Sequence, residues 1–256
     1  MTEPIRLTPN IYLIGSGEIG LSEEHDAHIY LVKTDTTWVL FDAGAGIQMD
    51  SLIRHIQQVI PQGQSISHLF ITHCHADHAG GAASLQSRYR LQVVAGQLTM
   101  ERVKQADDPA MALEVARLEG IYPSDYVFTP LKEVEAYPDH AQFRLGQTTI
   151  TLIETPGHSA DAVCYLTELP EGVALFCGDT LFANGLLPLL NTPDSDLRAY
   201  RKTVQRLSVL PFDILCPGHG LFKLKNAHEL AKQLADKLSR SIYIPPIITP
   251  SEGVRG

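Results

Sequence analysis

Hydrophobic and polar residues follow two different periods along this chain, and the period predicts where strands and helices lie. Short runs rich in β-branched and aromatic residues predict strands at 11–15, 28–33, 37–44, 67–72, 148–154, 162–168, 173–179 and 213–216. Apolar residues three and four positions apart predict helices at 47–60, 97–120 (broken near Pro109), 193–207 and 224–238. Thr192 and Pro193 fit the N-cap and first position of the third of these helices.

The order of these elements predicts the fold class. Strands fall into two sets with helices between and after them, which favours an α+β fold of two mixed sheets flanked by helices over a doubly wound parallel sheet. We expect one domain over residues 1–240 with a helical insertion at about 97–140. The segment 241–256 is rich in proline and is expected to be an extended tail.

Composition and charge narrow the class of protein. The chain has 256 residues and is 44% hydrophobic, enough for a sizeable core. Its 29 acidic and 20 basic residues give a formal net charge of −9, which argues against a track for nucleic-acid phosphates. No apolar run is long enough to span a membrane, and no signal-peptide pattern opens the sequence. We expect a cytoplasmic protein with a small-molecule substrate and no nucleic-acid or membrane partner, either monomeric or a homodimer.

A glycine-rich segment after the first strand resembles a dinucleotide-binding loop. Gly15, Gly17 and Gly20 have the G-x-G-x-x-G spacing, and Asp42 follows at a suitable distance. That motif requires a helix to start at the glycines and cross over to a parallel strand. Only residues 21–27 separate Gly20 from the next strand, too few for such a helix. The segment therefore predicts a hairpin loop.

Four side chains that commonly bind metals lie close together at the end of an apolar strand: His73, His75, Asp77 and His78. Because alternate residues of an extended segment point the same way, His73 and His75 can share one ion. Asp77 and His78 follow where the chain turns and can reach a second ion. The same alternation points Cys74 away from the two histidines, so Cys74 is not expected to be a ligand.

Three further candidate ligands follow strand-like runs and stand beside a glycine: His158, Asp179 and His219. Each alone would be read as a turn residue. Their recurrence downstream of the histidine cluster indicates a common site instead. Five histidines and two aspartates suit two ions with a shared carboxylate. We therefore predict a centre with two divalent metal ions, with Zn2+ as the expected metal and iron or manganese as alternatives.

The segments THCHADHAGG, TPGHSADAVCY, FCGDTLF and PGHG resemble, in order, the four ligand motifs of the metallo-β-lactamase superfamily. The resemblance covers roughly residues 10–222 and implies a four-layer αββα sandwich with its site at one edge of the two sheets. It also implies that Asp42, in FDAG, supports the metal loops. By this resemblance the first metal is bound by His73, His75 and His158 and the second by Asp77, His78 and His219, with Asp179 bridging the two.

The resemblance also implies an activity. Asp179 within GDTLF is similar to the glyoxalase II, lactonase and thioesterase branches more than to true β-lactamases. Lactonases that act on quorum signals carry a tyrosine three residues after this aspartate, whereas this chain has Phe182. The implied reaction is hydrolysis of a small thioester, lactone or related ester by a metal-bridging hydroxide. Asp77 would be the catalytic residue that orients the nucleophile and accepts its proton.

Two other functions remain open on the sequence. The same superfamily includes mononuclear iron persulfide dioxygenases, and a third reading is a regulatory protein that keeps the metal site with little activity. The insertion at 97–140 is expected to form a lid over the substrate, with Tyr122 and Tyr126 either donating hydrogen bonds to it or packing. His25 and His28, ahead of a strand, are expected to be exposed turn residues, with a place in the lining of the pocket as the alternative.

Overall fold

The computed structural model describes residues 2–190, 192 and 194–240, so the predicted tail at 241–256 lies outside the described residues. Two β-sheets pack face to face, and helices cover the outer side of each. The predicted αββα sandwich of two mixed sheets is therefore confirmed. Among the described helices, none is both long enough and apolar enough to cross a membrane.

Each sheet contains both parallel and antiparallel pairs. From one edge to the other, the first sheet contains β1 (Ile5–Arg6), β2 (Ile11–Gly15), β3 (Ile29–Lys33), β4 (Trp38–Phe41), β5 (Ile66–Phe70), β6 (Gln92–Gly96) and β7 (Glu135–Tyr137). Its strands are antiparallel up to β4 and parallel from β4 onwards. The second sheet contains β8 (Gln142–Leu145), β9 (Thr148–Glu154), β10 (Val163–Leu169), β11 (Gly172–Gly178) and β12 (Ile214–Pro217). Only its β11–β12 pair is parallel.

Helices on each outer face bury one apolar side. They are α1 (Asp50–Val59), α2 (Ala76–Ala79), α3 (Ala82–Tyr89), α4 (Gln97–Gln105), α5 (Leu113–Leu118), α6 (Leu197–Leu207) and α7 (His228–Arg240). Leu52 of α1 and Leu85 of α3 are buried against the first sheet. Tyr200 of α6 and Leu234 of α7 are buried against the second.

Aromatic rings fill the space between the sheets. Phe41 of β4 and Phe176 of β11 stack with their ring centroids 3.8 Å apart, and Tyr165 and Phe70 pack beside them. Each such buried ring stabilises the fold by about 2–3 kcal/mol relative to an exposed one. This packing holds β4 and β5 of one sheet against β11 of the other, so the loops that follow these strands meet at one edge of the sandwich.

Local details differ from the sequence predictions. Helix α6 begins at Leu197, and its N-cap is Asp196, whose carboxylate accepts hydrogen bonds from the amides of Arg198 and Ala199. The prediction of a cap at Thr192 was therefore wrong. Asp196 supplies the oxygen that the free amides of the first turn need. The glycine-rich segment is a hairpin loop, as predicted, because β2 and β3 pair antiparallel.

The segment 97–140 is only partly the helical insertion that the sequence predicted. It contains α4 and α5, but Glu135–Tyr137 is not part of an insertion, since it pairs in parallel with β6 as the edge strand of the first sheet. Strands β1, β6, β7 and β8 were not predicted. Two of them have only two or three residues, and β8 has only four, too few for its alternation of polar and apolar residues to stand out.

Candidate metal centre

All seven predicted ligand residues lie at one edge of the sandwich, in loops that follow strands. The turn after β5 and the short α2 supply four of them, and the loops after β9, β11 and β12 supply one each: His73, His75, Asp77, His78, His158, Asp179 and His219. Their ligand atoms form three overlapping groups, each within 4.8 Å, that could hold metal ions. The arrangement brings together residues from both sheets.

Three histidines form the first group. The Nδ1 atom of His75 lies 3.0 Å from Nε2 of His73 and 3.0 Å from Nε2 of His158. Two nitrogens that share a tetrahedral zinc ion at bond lengths of about 2.0–2.1 Å are themselves about 3.3 Å apart. All three side chains are buried. The group therefore has the spacing, donor type and enclosure of a three-histidine metal site.

Asp77, His78 and His219 form the second group. Oδ2 of Asp77 lies 3.1 Å from Nε2 of His219 and 3.4 Å from Nε2 of His78. His219 is the most exposed of the ligand histidines, with 31% of its side chain accessible, whereas His78 is completely buried. The second group therefore opens to solvent on the His219 side, and this is the side from which a substrate can approach.

Asp179 lies between the two groups. Its Oδ2 is 3.6 Å from Nε2 of His158 and 3.7 Å from Nε2 of His219, and its Oδ1 is 3.4 Å from Nε2 of His78. Both Nε2 of His78 and Oδ1 of Asp179 are buried without a hydrogen-bond partner. A buried polar atom without a partner is costly, and an ion between these atoms would satisfy both. The residues therefore fit metal binding at this edge, with Asp179 placed between the two groups.

Hydrogen bonds on the outer nitrogens orient the histidines of the β5 turn. Nδ1 of His78 lies 2.8 Å from Oδ2 of Asp42, so Nδ1 carries a proton and Nε2 is the nitrogen that faces the centre and could bind an ion. Thr72 donates its hydroxyl proton to the Asp42 carboxylate, which leaves its oxygen to accept from Nδ1 of His73 at 3.1 Å. Asp42 thus sets the tautomer of one histidine directly and of another through Thr72.

The other two ligand loops use different acceptors. Nδ1 of His158 donates to the carbonyl of Pro188, and Nδ1 of His219 lies 3.1 Å from Oε1 of Glu18. The second oxygen of Glu18 accepts from the amide of Gly220, so this carboxylate holds both the ring and its loop. Sequence reasoning missed Glu18, although it lies within the glycine-rich segment that was predicted to be a hairpin loop. Mutation of such outer hydrogen-bond partners commonly lowers metal affinity about 10–100-fold.

Charge distinguishes the two groups. Burial, followed by the neighbouring His78 and His75, holds the pKa of His73 well below its usual range, and burial with His158 lowers the pKa of His75 to about 4. Both are therefore neutral, as a metal ligand must be. Burial also acts to lower the pKa of His78, but nearby carboxylates, Asp77 and Asp179 above all, outweigh it and raise that pKa. The second group thus attracts positive charge, and a metal ion bound there would displace a proton.

Two glycines allow the loops to approach so closely. A Cβ atom on Gly218 would lie 2.5 Å from both Oδ1 of Asp179 and Cε1 of His78. Gly178 has a φ of +46°, and a Cβ atom there would lie 2.4 Å from the Thr72 hydroxyl oxygen. Any other residue at these positions would push the ligand loops apart. The glycines beside Asp179 and His219 are therefore part of the construction of the site.

A buried ion-pair cluster behind the first group was not predicted. Arg102 of α4 donates to Oδ1 of Asp161 at 2.7 Å and to Oδ2 of Asp194 at 2.9 Å. The other oxygen of Asp161 accepts from the amide of Cys74, between the first two ligand histidines. The Cys74 side chain is buried between the first sheet and its helices and belongs to none of the ligand groups among the described residues. The sequence does contain a signal for this cluster. Asp161 is an acidic residue at the start of an apolar strand, and an acidic side chain that is buried there needs a partner.

Replacing Arg102 with methionine is expected to destabilise the protein by about 3 kcal/mol, because the fully buried carboxylate of Asp161 would lose its cation. Urea unfolding of the purified protein measures this. The control is Arg88→Met on α3, an exposed arginine whose loss should cost about 0.5 kcal/mol or less. Equal effects of the two substitutions would show that the cluster contributes nothing beyond an ordinary surface charge.

The insertion contacts the candidate ligand residues, and its two tyrosines pack on each other. Tyr122 directs its hydroxyl at Asp77, and Tyr126 donates to the carbonyl of Ala45, so both hydroxyls are engaged within the protein rather than directed at a substrate. The expectation for His28 was wrong, since this side chain is buried and its Nε2 lies 2.8 Å from the Gly220 carbonyl oxygen. A turn histidine becomes buried here because the β2–β3 loop packs on the loop of His219.

Comparisons with known proteins identify the family of this chain and agree with its fold. Residues 23–219 match the family model described as the metallo-beta-lactamase superfamily, and the chain belongs to this superfamily. The metallo-beta-lactamase of Cronobacter sakazakii with a mutated HARLDQ motif is a structural neighbour, with a TM-score of 0.71 and 20% identity over 93% of this chain and 96% of that one. The subclass B3 metallo-beta-lactamase BJP-1 of Bradyrhizobium japonicum is another structural neighbour, with a TM-score of 0.69 and 22% identity over 92% of this chain and 90% of that one.

Similar curated proteins include fungal thioesterases. The thioesterase pkgB of Emericella nidulans is 26% identical over 90% of this chain and 56% of its own length. The atrochrysone carboxyl ACP thioesterase of Aspergillus fumigatus is 26% identical over 91% of this chain and 63% of its own length. The chain thus spans a little over half the length of these relatives.

Proposed function

We propose that the chain is a dinuclear metal-dependent hydrolase that cleaves a thioester. The observation that carries this proposal is the position of Asp179, whose two oxygens face histidines of both ligand groups at 3.4–3.7 Å. A single ion could be bound by one of the two three-residue groups alone and would need no carboxylate between them. The geometry therefore favours two ions over the single iron of a persulfide dioxygenase, and zinc is the expected metal.

The two ions would supply a water molecule with its pKa lowered to near neutral and a positive charge beside the acyl carbonyl oxygen. The residues of the chain orient these reactants. Burial would raise the pKa of Asp77, but His78 and His219 outweigh it and hold that pKa below its usual range, so the side chain is a carboxylate. Its Oδ2 faces the centre, where one lone pair would bind the second ion and the other can accept a hydrogen bond from the attacking water. Asp77 is thus the residue that orients the nucleophile and takes its proton.

The open side of the site favours an apolar substrate. Three large apolar side chains are exposed on the loops that contact the ligand histidines: Ile19 beside Glu18, Leu221 after Gly220, and Leu186 near Pro188. The ring of Phe182 lies 6.4 Å from that of His219. Apolar side chains exposed on loops that contact a polar centre suit a ligand with an apolar body and one reactive polar group. The acyl part of the substrate is therefore expected to be hydrophobic.

A thioester is favoured over a lactone for two reasons. The position of the lactonase tyrosine is Phe182, which offers no hydroxyl to protonate an alkoxide leaving group. A thiolate leaves more easily than an alkoxide, since thiols have a pKa of about 8.5. Similar curated proteins carry the names thioesterase and ACP thioesterase, and this likeness supports the same bond type here. Whether the thiol belongs to a small molecule or a carrier protein is an outcome of the test.

The test combines metal analysis with a substrate panel. We expect about two zinc ions per chain, and hydrolysis of aryl and long-chain acyl thioesters with kcat/KM at least about tenfold above that for acetyl thioesters and for matched lactones. Coenzyme A, pantetheine and carrier-protein thioesters of one acyl group distinguish the source of the thiol. One iron per chain with oxygen consumption on persulfide, or two metals with no turnover of any thioester, would contradict the proposal.

A further inference from the structure

We infer that Tyr122 is a positioning residue for the second metal ion: its hydroxyl binds one oxygen of Asp77 and so leaves the other oxygen as a single-atom metal ligand. This inference rests on the metal centre of the proposed function. Tyr122 lies just after α5 in the insertion, far in sequence from the ligand motifs. Only 8% of it is exposed, so its hydroxyl is removed from competing water.

The hydroxyl of Tyr122 makes two hydrogen bonds to the same residue. It donates to Oδ1 of Asp77 at 3.1 Å and accepts from the Asp77 amide at 3.1 Å. A phenol has one proton to donate, and here Oδ1 receives it. Because the amide fixes the hydroxyl relative to the backbone of Asp77, the carboxylate cannot rotate without breaking the bond to Oδ1.

The hydrogen bond from Tyr122 determines which oxygen of Asp77 is left to bind a metal ion. With Oδ1 occupied, Oδ2 is the oxygen that faces His219 and His78, at 3.1 and 3.4 Å. A carboxylate that is free to rotate can bind an ion through both oxygens, which changes the coordination number and the space left for water. Tyr122 therefore selects the ligand atom and lowers the entropy that Asp77 loses when the ion binds.

The rest of the insertion holds Tyr122 in place. Its ring stacks on Tyr126 with centroids 4.9 Å apart, and the Tyr126 hydroxyl donates to the carbonyl of Ala45. Gly80 gives room for this contact, since a Cβ atom there would lie 2.6 Å from the Tyr126 hydroxyl oxygen. The two tyrosines thus share a stack and a segment, but only one of them contacts a metal ligand. Tyr126 is accordingly a matched control.

The test compares Tyr122→Phe with Tyr126→Phe, each of which removes one hydroxyl and keeps the ring. Metal-free protein is titrated with Zn2+ against a competing chelator to obtain separate dissociation constants for the two sites. Tyr122→Phe should weaken the second site about 10–100-fold and leave the first site within about threefold of the unmodified protein. Tyr126→Phe should leave both sites within about threefold. This readout needs no turnover.

Three results would overturn the inference: an unchanged second site in Tyr122→Phe, equal weakening of that site in both variants, or loss of both sites in Tyr122→Phe. The last two would mean that the tyrosines only support the fold. Failure of the proposed function is a separate result, because the unmodified protein would then bind two zinc ions without hydrolysing thioesters. The effect of Tyr122 on zinc affinity would still hold in that case.

Discussion

Replacement of His75 by alanine is expected to remove the metal from the first site and to lower thioester hydrolysis by at least about a hundredfold. His75 presents the one nitrogen that lies 3.0 Å from both other nitrogens of its group, so its loss leaves two ligands that no longer enclose an ion. Loss of an outer partner alone typically costs about 10–100-fold in metal affinity or activity, and loss of a direct ligand should cost more. Elemental analysis and kcat/KM measure the two effects.

The matched control for this prediction is His228→Ala. His228 is the first residue of α7 and pairs with Glu229 at the surface, away from the ligand loops. The His228→Ala variant should keep its bound metal, and its kcat/KM should stay within about twofold of the unmodified protein, because surface substitutions of this kind have small effects. If His75→Ala also kept both ions and full activity, His75 would not be a ligand and the three-histidine site would have to be abandoned.

Asp179→Asn is expected to reduce bound metal from two ions to about one or fewer while the protein stays folded. The substitution keeps the size of the side chain but removes the negative charge that faces both groups, and an amide is a much weaker ligand for zinc than a carboxylate. Without it, two dications a few Å apart repel each other with nothing between them to offset the charge. The second site should weaken more, because there Asp179 joins only two histidines and one other carboxylate. Activity should fall with the metal.

Metal content and thermal unfolding of the same Asp179→Asn preparation test this prediction together. Asp213→Asn serves as the control, since Asp213 is an exposed acid just before β12 and belongs to none of the ligand groups. Two retained ions in folded Asp179→Asn would leave Asp179 a turn residue rather than a bridge. That result would also remove the observation on which the two-metal proposal rests.

The sequence by itself determined the class of fold and the candidate ligands. Both signals are local: four ligand-type residues lie between His73 and His78, and each later candidate follows a strand beside a glycine. Strand ends that belong to the same sheet edge meet in space, so residue type and position were enough to bring all seven candidates together. Metal binding by these residues stays a prediction until it is measured.

Only the tertiary structure decided which atoms face the centre and what holds them. Asp42, Glu18 and the Pro188 carbonyl fix the tautomers of the ligand histidines through contacts between residues far apart in the chain. The sequence left Tyr122 either as a donor to a substrate or as a packing residue. In the structure its ring packs on Tyr126 and its hydroxyl binds Asp77, a partner that no sequence pattern indicated. The physical reason is that periodicity and motif spacing specify elements and strand ends. The directions of side chains in loops depend instead on how separate elements pack, which no local pattern records.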